Sequence, residues 1–259
     1  MNRPSRTSAF ILAATVGVFF ALTAFPSNSA HAESACAFIE KIQKVQDFLT
    51  TNAAKLNTAD AASAQAFLRK EALRAVIQCA KEDLVTHEAE VQAVTPAIPD
   101  MDGVKDQLTQ KLQDQSSYYD ARLQEINDLG VRGTQEAAKS IRSWREGVLS
   151  PLLKSTENFI LWNKNQEVIT SSKTRLDNVS KSFEALKLGN DKELLDLFVA
   201  ARQKFESASD ANERAKQLLL KLGPADYTEM LIKETLSDLS DSYKALIDLS
   251  DKANEKAKK

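Results

Sequence analysis

Glycine and proline are scarce in this sequence, and they occur in clusters. The 259 residues include only 7 glycines and 6 prolines, so glycine is well below its average share of about 7%. Doubly wound sheets, barrels and sandwiches need these residues in many tight turns, and the composition therefore argues against all three. The chain is expected to be all-α, with few and widely spaced helix breaks.

The clusters of glycine and proline indicate where helices should end. Between them, apolar residues recur at steps of three and four, the period of an amphipathic helix. This pattern predicts an elongated, antiparallel, coiled-coil-like helical bundle over residues 33–259, opened by a helical hairpin. Its six long helices are expected near residues 34–56, 60–94, 104–129, 134–188, 191–222 and 225–256, with a kink in the fourth at Pro151.

Residues 1–32 have the organisation of a secretory signal peptide. Arginines at the start precede an uncharged apolar run over 9–25, and small residues follow, ending in Ala30-His31-Ala32. We expect cleavage after Ala32 and an exported protein, located in the periplasm, at the cell surface or outside the cell. If the signal stays uncleaved, residues 9–25 would anchor the chain in the membrane, although such a run is at the short limit for a span.

Cys36 and Cys79 are the only two cysteines. Disulfides persist in exported proteins, and the midpoint between these cysteines falls in the predicted turn of the first hairpin. Two antiparallel helices would therefore bring them level, which predicts a disulfide contributing about 4 kcal/mol through the unfolded state. Two buried free thiols are the alternative. Lipid attachment at Cys36 is disfavoured, because Glu33 stands where a lipoprotein signal carries an aliphatic residue.

The charged and catalytic residue types exclude several functions. With 34 basic and 36 acidic residues, the chain lacks the positive charge of a dedicated nucleic-acid binder. His87 is the only histidine after the signal, which argues against histidine-based metal sites. It lies in an apolar stripe and is expected to be a core residue near the carboxylates of Asp83 or Glu90. No nucleophile motif, phosphate loop or calcium loop occurs, so no enzyme activity, cofactor or metal is expected.

Aromatic residues in the fourth helix are the best candidates for a partner or ligand surface. Trp144 and Trp162 are 18 residues apart, which places them on one face of an unbroken helix. Trp162 and Ile169 begin a seven-residue apolar repeat typical of a coiled-coil seam, whose companion positions at Gln166 and Lys173 are polar. The candidate surface comprises Trp144, Phe159, Trp162 and Ile169.

Two functions fit these observations. The first is a non-catalytic exported protein with a structural, scaffold or adaptor role, acting through helix–helix contacts with itself or with a protein partner. The alternative is a bundle that binds a small molecule or lipid in a pocket near Trp144 and Trp162, with Phe159 and Tyr119 beside them. Neither function involves nucleic acid, and a membrane is involved only if the signal remains uncleaved.

Overall fold

A computed structural model describes residues 43, 44, 47, 51 and 59–257. These residues contain helices and turns but no strand, which confirms the all-α class. The predicted signal peptide, Cys36 and most of the helix expected over 34–56 lie outside the described residues, so only the second helix of the predicted N-terminal hairpin is described. No helix in the described ranges combines the length and hydropathy that a bilayer crossing requires.

Six α-helices make up most of residues 59–257. Helices α3 and α4 are joined by one π-helical turn, Arg145–Leu149, so five separate helical segments are described. The helices are α1 (Ala59–Ala93), α2 (Asp102–Glu125), α3 (Val131–Trp144), α4 (Ser150–Ala185), α5 (Lys192–Leu220) and α6 (Ala225–Ala257).

The described chain forms two compact units, whereas the sequence indicated one bundle over 33–259. Residues 59–160 belong to the first, here called the N-terminal unit, and residues 161–257 to the second, the C-terminal unit. The division falls within α4, so this helix contributes residues to both units. Periodicity alone does not locate such a division, because the apolar repeat continues through it.

In the N-terminal unit, α1 and α2 run antiparallel. Lys81 forms an ion pair with Asp120, and further along Gln113 donates a hydrogen bond to Glu88 over 2.7 Å. Bulky apolar side chains fill the space between the helices of this unit, where each contributes roughly 1.5–3 kcal/mol when fully buried. The fully or nearly fully buried set includes Ile77, Leu84, Val91, Met101, Val104, Leu108, Leu112, Tyr119 and Ile126.

In the C-terminal unit, α5 and α6 form an antiparallel pair with small side chains facing each other. Alanines recur every seven residues on α5, and hydroxyl residues recur every seven on α6. The helices approach so closely that the Ser242 Oγ donates to the Ala201 carbonyl over 2.8 Å. The buried small residues are Ala201, Ala208 and Ala215 on α5 and Thr228, Thr235 and Ser242 on α6.

The helix breaks differ in detail from the sequence pattern. The fourth predicted segment begins earlier than residue 134, at Val131, with Gly130 as its N-cap. Its break lies just before Pro151: the Ser150 N–H bonds to the Arg145 carbonyl in a π-helical turn. Proline cannot donate to the carbonyl four residues earlier, which explains why regular α-helix is interrupted at this point.

Left-handed backbone occurs at non-glycine residues. Among the described residues, Lys187 (φ 53°) and Leu222 (φ 45°) have positive φ, and no glycine does. At the end of α5, the Gly223 N–H bonds to the Leu218 carbonyl and the Leu222 N–H to the Leu219 carbonyl, the pattern of a Schellman cap. Glycine at position 223 lets the backbone lie close to the Leu218 side chain, since an added Cβ would lie 3.1 Å from Leu218 Cδ2.

Candidate functional site

Trp144 lies in an aromatic cluster of the N-terminal unit. Its indole stacks on the Tyr118 ring, with centroids 4.1 Å apart and planes 14° apart. The indole Nε1 donates to Gln115 Oε1 over 2.9 Å, so the ring orientation is fixed by both contacts. The Arg122 guanidinium lies 5.0 Å from the Tyr118 centroid, at cation–π distance.

Arginine side chains near this cluster differ in their pairing. Arg122 forms an ion pair with Glu125, and Arg142 forms one with Glu146. Arg145 is exposed and has no ion pair with the described residues. It therefore presents a free positive charge at the π-helical turn, beside the stacked rings.

Tyr119 is fully buried next to this cluster, and its hydroxyl has no hydrogen-bond partner among the described residues. Its ring meets Tyr118 edge-on at 5.5 Å. Burial raises the pKa of Tyr119, while the nearby Arg145 charge lowers it by a smaller amount. An unsatisfied buried hydroxyl is costly, which makes Tyr119 the least satisfied side chain of this region.

His87 is buried in α1, where the sequence places it in the apolar stripe. Its Nδ1 lies 3.4 Å from a carboxylate oxygen of Glu90. No group of three or more histidine, cysteine or acidic side chains within the described ranges is arranged to hold a metal ion. The position of His87 is that of a core residue with a carboxylate at its edge.

The predicted surface residues are divided between the two units. Trp144 and Phe159 lie in the N-terminal unit, Trp162 and Ile169 in the C-terminal unit. Phe159 and Trp162 are buried, with Trp162 only 2% exposed, while Trp144 and Ile169 are half-buried. Of the four, Trp144 combines partial exposure with charged neighbours.

Trp162 belongs to a polar seam between α4 and α5. Its Nε1 donates to the Asn212 carbonyl over 3.3 Å, and the Gln166 and Asn212 side-chain amides exchange hydrogen bonds of 3.1 and 3.2 Å. Of the two companion positions expected from the sequence, Gln166 lies in this seam and Lys173 is exposed. Asn165 and Ser172, three residues after Trp162 and Ile169, are buried. Polar residues at such positions specify register at some cost in stability.

A buried carboxylate links α5 and α6. Asp238 accepts hydrogen bonds from Lys204 Nζ over 2.7 Å and from Ser207 Oγ over 2.6 Å. These two bonds hold the pKa of Asp238 below its usual range. On the α4 side of α6, the Ser172 and Tyr243 hydroxyls lie 2.9 Å apart and share a hydrogen bond.

An open groove of about 840 Å³ lies where the start of α5 meets the end of α6. Lys252 and Lys256 both pair there with Glu193, and Lys256 also holds the pKa of the N-cap Asp191 below its usual value. Sequence analysis missed this groove because its two sides are far apart along the chain. The lining residues are Lys192, Glu193, Asp196, Leu197, Asp248, Asp251, Lys252 and Glu255.

The sequence did not indicate that Tyr118 and Arg122 are neighbours of Trp144. The available signal was local, because Tyr118 and Arg122 are four residues apart on α2, on one helix face. Their contact with Trp144 depends on how α2 packs against α3, and the sequence pattern does not specify this packing.

Comparison with protein-family models, with curated proteins and with solved structures finds no match for this chain. The site is therefore interpreted from its own geometry.

Proposed function

We propose that this chain is an exported, non-catalytic helical protein that acts through helix–helix contacts, as a structural, scaffold or adaptor protein in the cell envelope or outside the cell. The supporting observation is that large exposed apolar side chains occur in pairs at helical spacing. Phe67 and Val85 on α1 are each 62% exposed, and their separation of 18 residues is five turns.

The same pairing recurs on two other helices. Leu195 and Val199 on α5 are four residues apart, and Tyr227 and Met230 on α6 are three apart; all are exposed. Single exposed apolar residues are ordinary on protein surfaces, but pairs on one helix face provide the contact positions that a second helix uses. These positions support a role in protein–protein contact.

Sedimentation and native mass spectrometry of the mature chain, purified from its own cell, test this proposal. We expect a complex heavier than the monomer, with site-specific photocrosslinks to protein at Val85 and Met230. Arg132, a highly exposed polar position, is the control and should crosslink weakly. A monomer carrying a stoichiometric small molecule or lipid would contradict the proposal and support the ligand-binding alternative.

Export is part of the proposal and rests on the first 32 residues. Their basic start, uncharged run and Ala30-His31-Ala32 ending support cleavage by a signal peptidase. N-terminal sequencing of the protein isolated from its own cell should begin at Glu33. If the isolated chain retains residues 9–25 and partitions with membranes, the protein is anchored to the membrane and is not secreted.

We further propose the disulfide between Cys36 and Cys79 in the exported form. Cys79 is 8% exposed on α1, and an oxidising compartment favours its pairing with the one other cysteine of the chain. Intact mass after alkylation without reductant should show no added label. Two alkylated thiols in the unfolded, unreduced chain would contradict the pairing.

A further inference from the structure

The cluster around Trp144 has features that a simple core aromatic lacks. The indole is half-buried and is held by the Tyr118 stack and the Gln115 hydrogen bond. Because its N–H is satisfied within the protein, a partner would not have to supply an acceptor for it. An aromatic side chain fixed in this way loses little conformational entropy on binding.

The π-helical turn next to Trp144 exposes four consecutive residues. Arg145, Glu146, Gly147 and Val148 are all exposed, whereas a regular amphipathic helix would turn part of such a run inward. Val148, at 37%, is a large apolar residue among them. Such π turns occur frequently at functional sites.

The charge at this surface is positive and uncompensated. Glu125 and Glu146 are paired with Arg122 and Arg142, while Arg145 has no ion pair with the described residues. Among these three arginines, Arg145 is therefore the one whose charge no carboxylate of the described residues neutralises. Tryptophan, tyrosine and arginine are the residue types enriched at binding hot spots.

We propose that Trp144, Tyr118, Arg145 and Val148 form a docking surface for an acidic segment of a protein partner, with a carboxylate bound by Arg145 and an adjacent apolar side chain packed on Trp144 and Val148. This inference rests on the proposed function, because it assigns a surface and a partner chemistry to contacts with proteins. The Arg145 guanidinium, which has no ion pair with the described residues, favours an acidic occupant through charge complementarity.

Selection from a library of random dodecapeptides displayed on phage tests this surface on the full mature chain. Enriched peptides should carry aspartate or glutamate next to an aromatic or aliphatic residue. A dye-labelled copy of the best peptide should lose at least tenfold in affinity to the Arg145→Glu variant by fluorescence anisotropy. The Arg132→Glu variant is the matched control, since Arg132 is exposed on α3, the helix that precedes the π-helical turn, and its affinity should be unchanged.

Two results would overturn the docking surface. One is the absence of enrichment or the enrichment of neutral or basic peptides; the other is an affinity that Arg145→Glu leaves unchanged. Trp144→Phe gives a second readout that keeps an aromatic ring, and we expect a loss of affinity of about threefold or more. If photocrosslinks at Val85 and Met230 identify a protein while the peptide test fails, the proposed function is retained and this docking surface is rejected.

Discussion

The two units of this molecule pack their helices by different means. Bulky aliphatic side chains such as Leu108 and Leu112 separate the helices of the N-terminal unit. In the C-terminal unit, alanines face threonines and serines, and the backbone of α5 accepts a side-chain hydrogen bond from α6. Apolar volume therefore stabilises the first unit, whereas the second adds close approach and buried polar contacts to a bulky apolar cluster that includes Phe183, Leu239 and Leu246.

The largest effect is expected from removing volume in the N-terminal unit. Leu112 is almost fully buried, so Leu112→Ala should lower the free energy of unfolding by about 2–5 kcal/mol. Leu112→Met, which keeps the volume, should cost less than about 1.5 kcal/mol. Urea unfolding followed by ¹⁹F NMR of 5-fluorotryptophan at Trp144 measures both. Equal losses in the two variants would show that volume is not what stabilises this core.

Acid should weaken the C-terminal unit through Asp238. Its pKa is lower in the folded chain than in the unfolded chain, because Lys204 and Ser207 donate hydrogen bonds to it. As the pH falls, the unfolded state therefore binds a proton before the folded state does. The stabilisation is complete above the unfolded pKa of about 3.9 and is lost as the pH falls through the folded pKa.

Asp238→Asn removes this titration. The variant should be less stable than the wild type at pH 7, and the difference should shrink between pH 5 and pH 2. Asp120→Asn in the N-terminal unit is the control, since Asp120 is more than half exposed. Urea midpoints across this range measure both variants; a difference for Asp238→Asn that is independent of pH would contradict the assignment.

For two tyrosines, one in each unit, loss of the hydroxyl should change the free energy of unfolding in opposite directions. The Tyr119 hydroxyl in the N-terminal unit has no hydrogen-bond partner in the part of the chain that the structure describes, so Tyr119→Phe should raise the free energy of unfolding by about 1 kcal/mol. The Tyr243 hydroxyl in the C-terminal unit bonds to Ser172, so Tyr243→Phe should lower it by about 1 kcal/mol. Chemical denaturation measures the two changes, and a loss for Tyr119→Phe would show that its hydroxyl is satisfied in solution.

The smallest effect concerns the turn after α4. Lys187 is exposed and has a left-handed backbone, a conformation that glycine adopts without steric cost. Lys187→Gly should therefore raise stability by about 0.5–1 kcal/mol. Lys181→Gly, an exposed position within α4, should lower it by about 1 kcal/mol. Thermal unfolding separates the two, and destabilisation by Lys187→Gly would contradict the expected relief.

The all-α class was predictable from sequence because helix periodicity and turn residues are local signals. Gly223 illustrates the limit: it lies at a helix end as predicted, yet Leu222 takes the left-handed conformation. Trp162 was predictable as a member of an apolar repeat, but its buried companions, Asn165 and Ser172, are polar and give no hydrophobic signal. The surroundings of Trp144 depend on packing between α2 and α3, which no local pattern encodes.

Small residues let α5 and α6 of the C-terminal unit approach closely, and Ala208→Leu is the substitution expected to disrupt this packing. Ala208 on α5 is buried in a cluster that includes Leu239 of α6, whereas Ala200 on the same helix is exposed. Ala208→Leu should lower the free energy of unfolding by about 1–3 kcal/mol, and Ala200→Leu should change it by less than about 0.5 kcal/mol. Unfolding followed by ¹⁹F NMR of 5-fluorotryptophan at Trp162 measures both variants. Equal, small changes in both variants would contradict the claim.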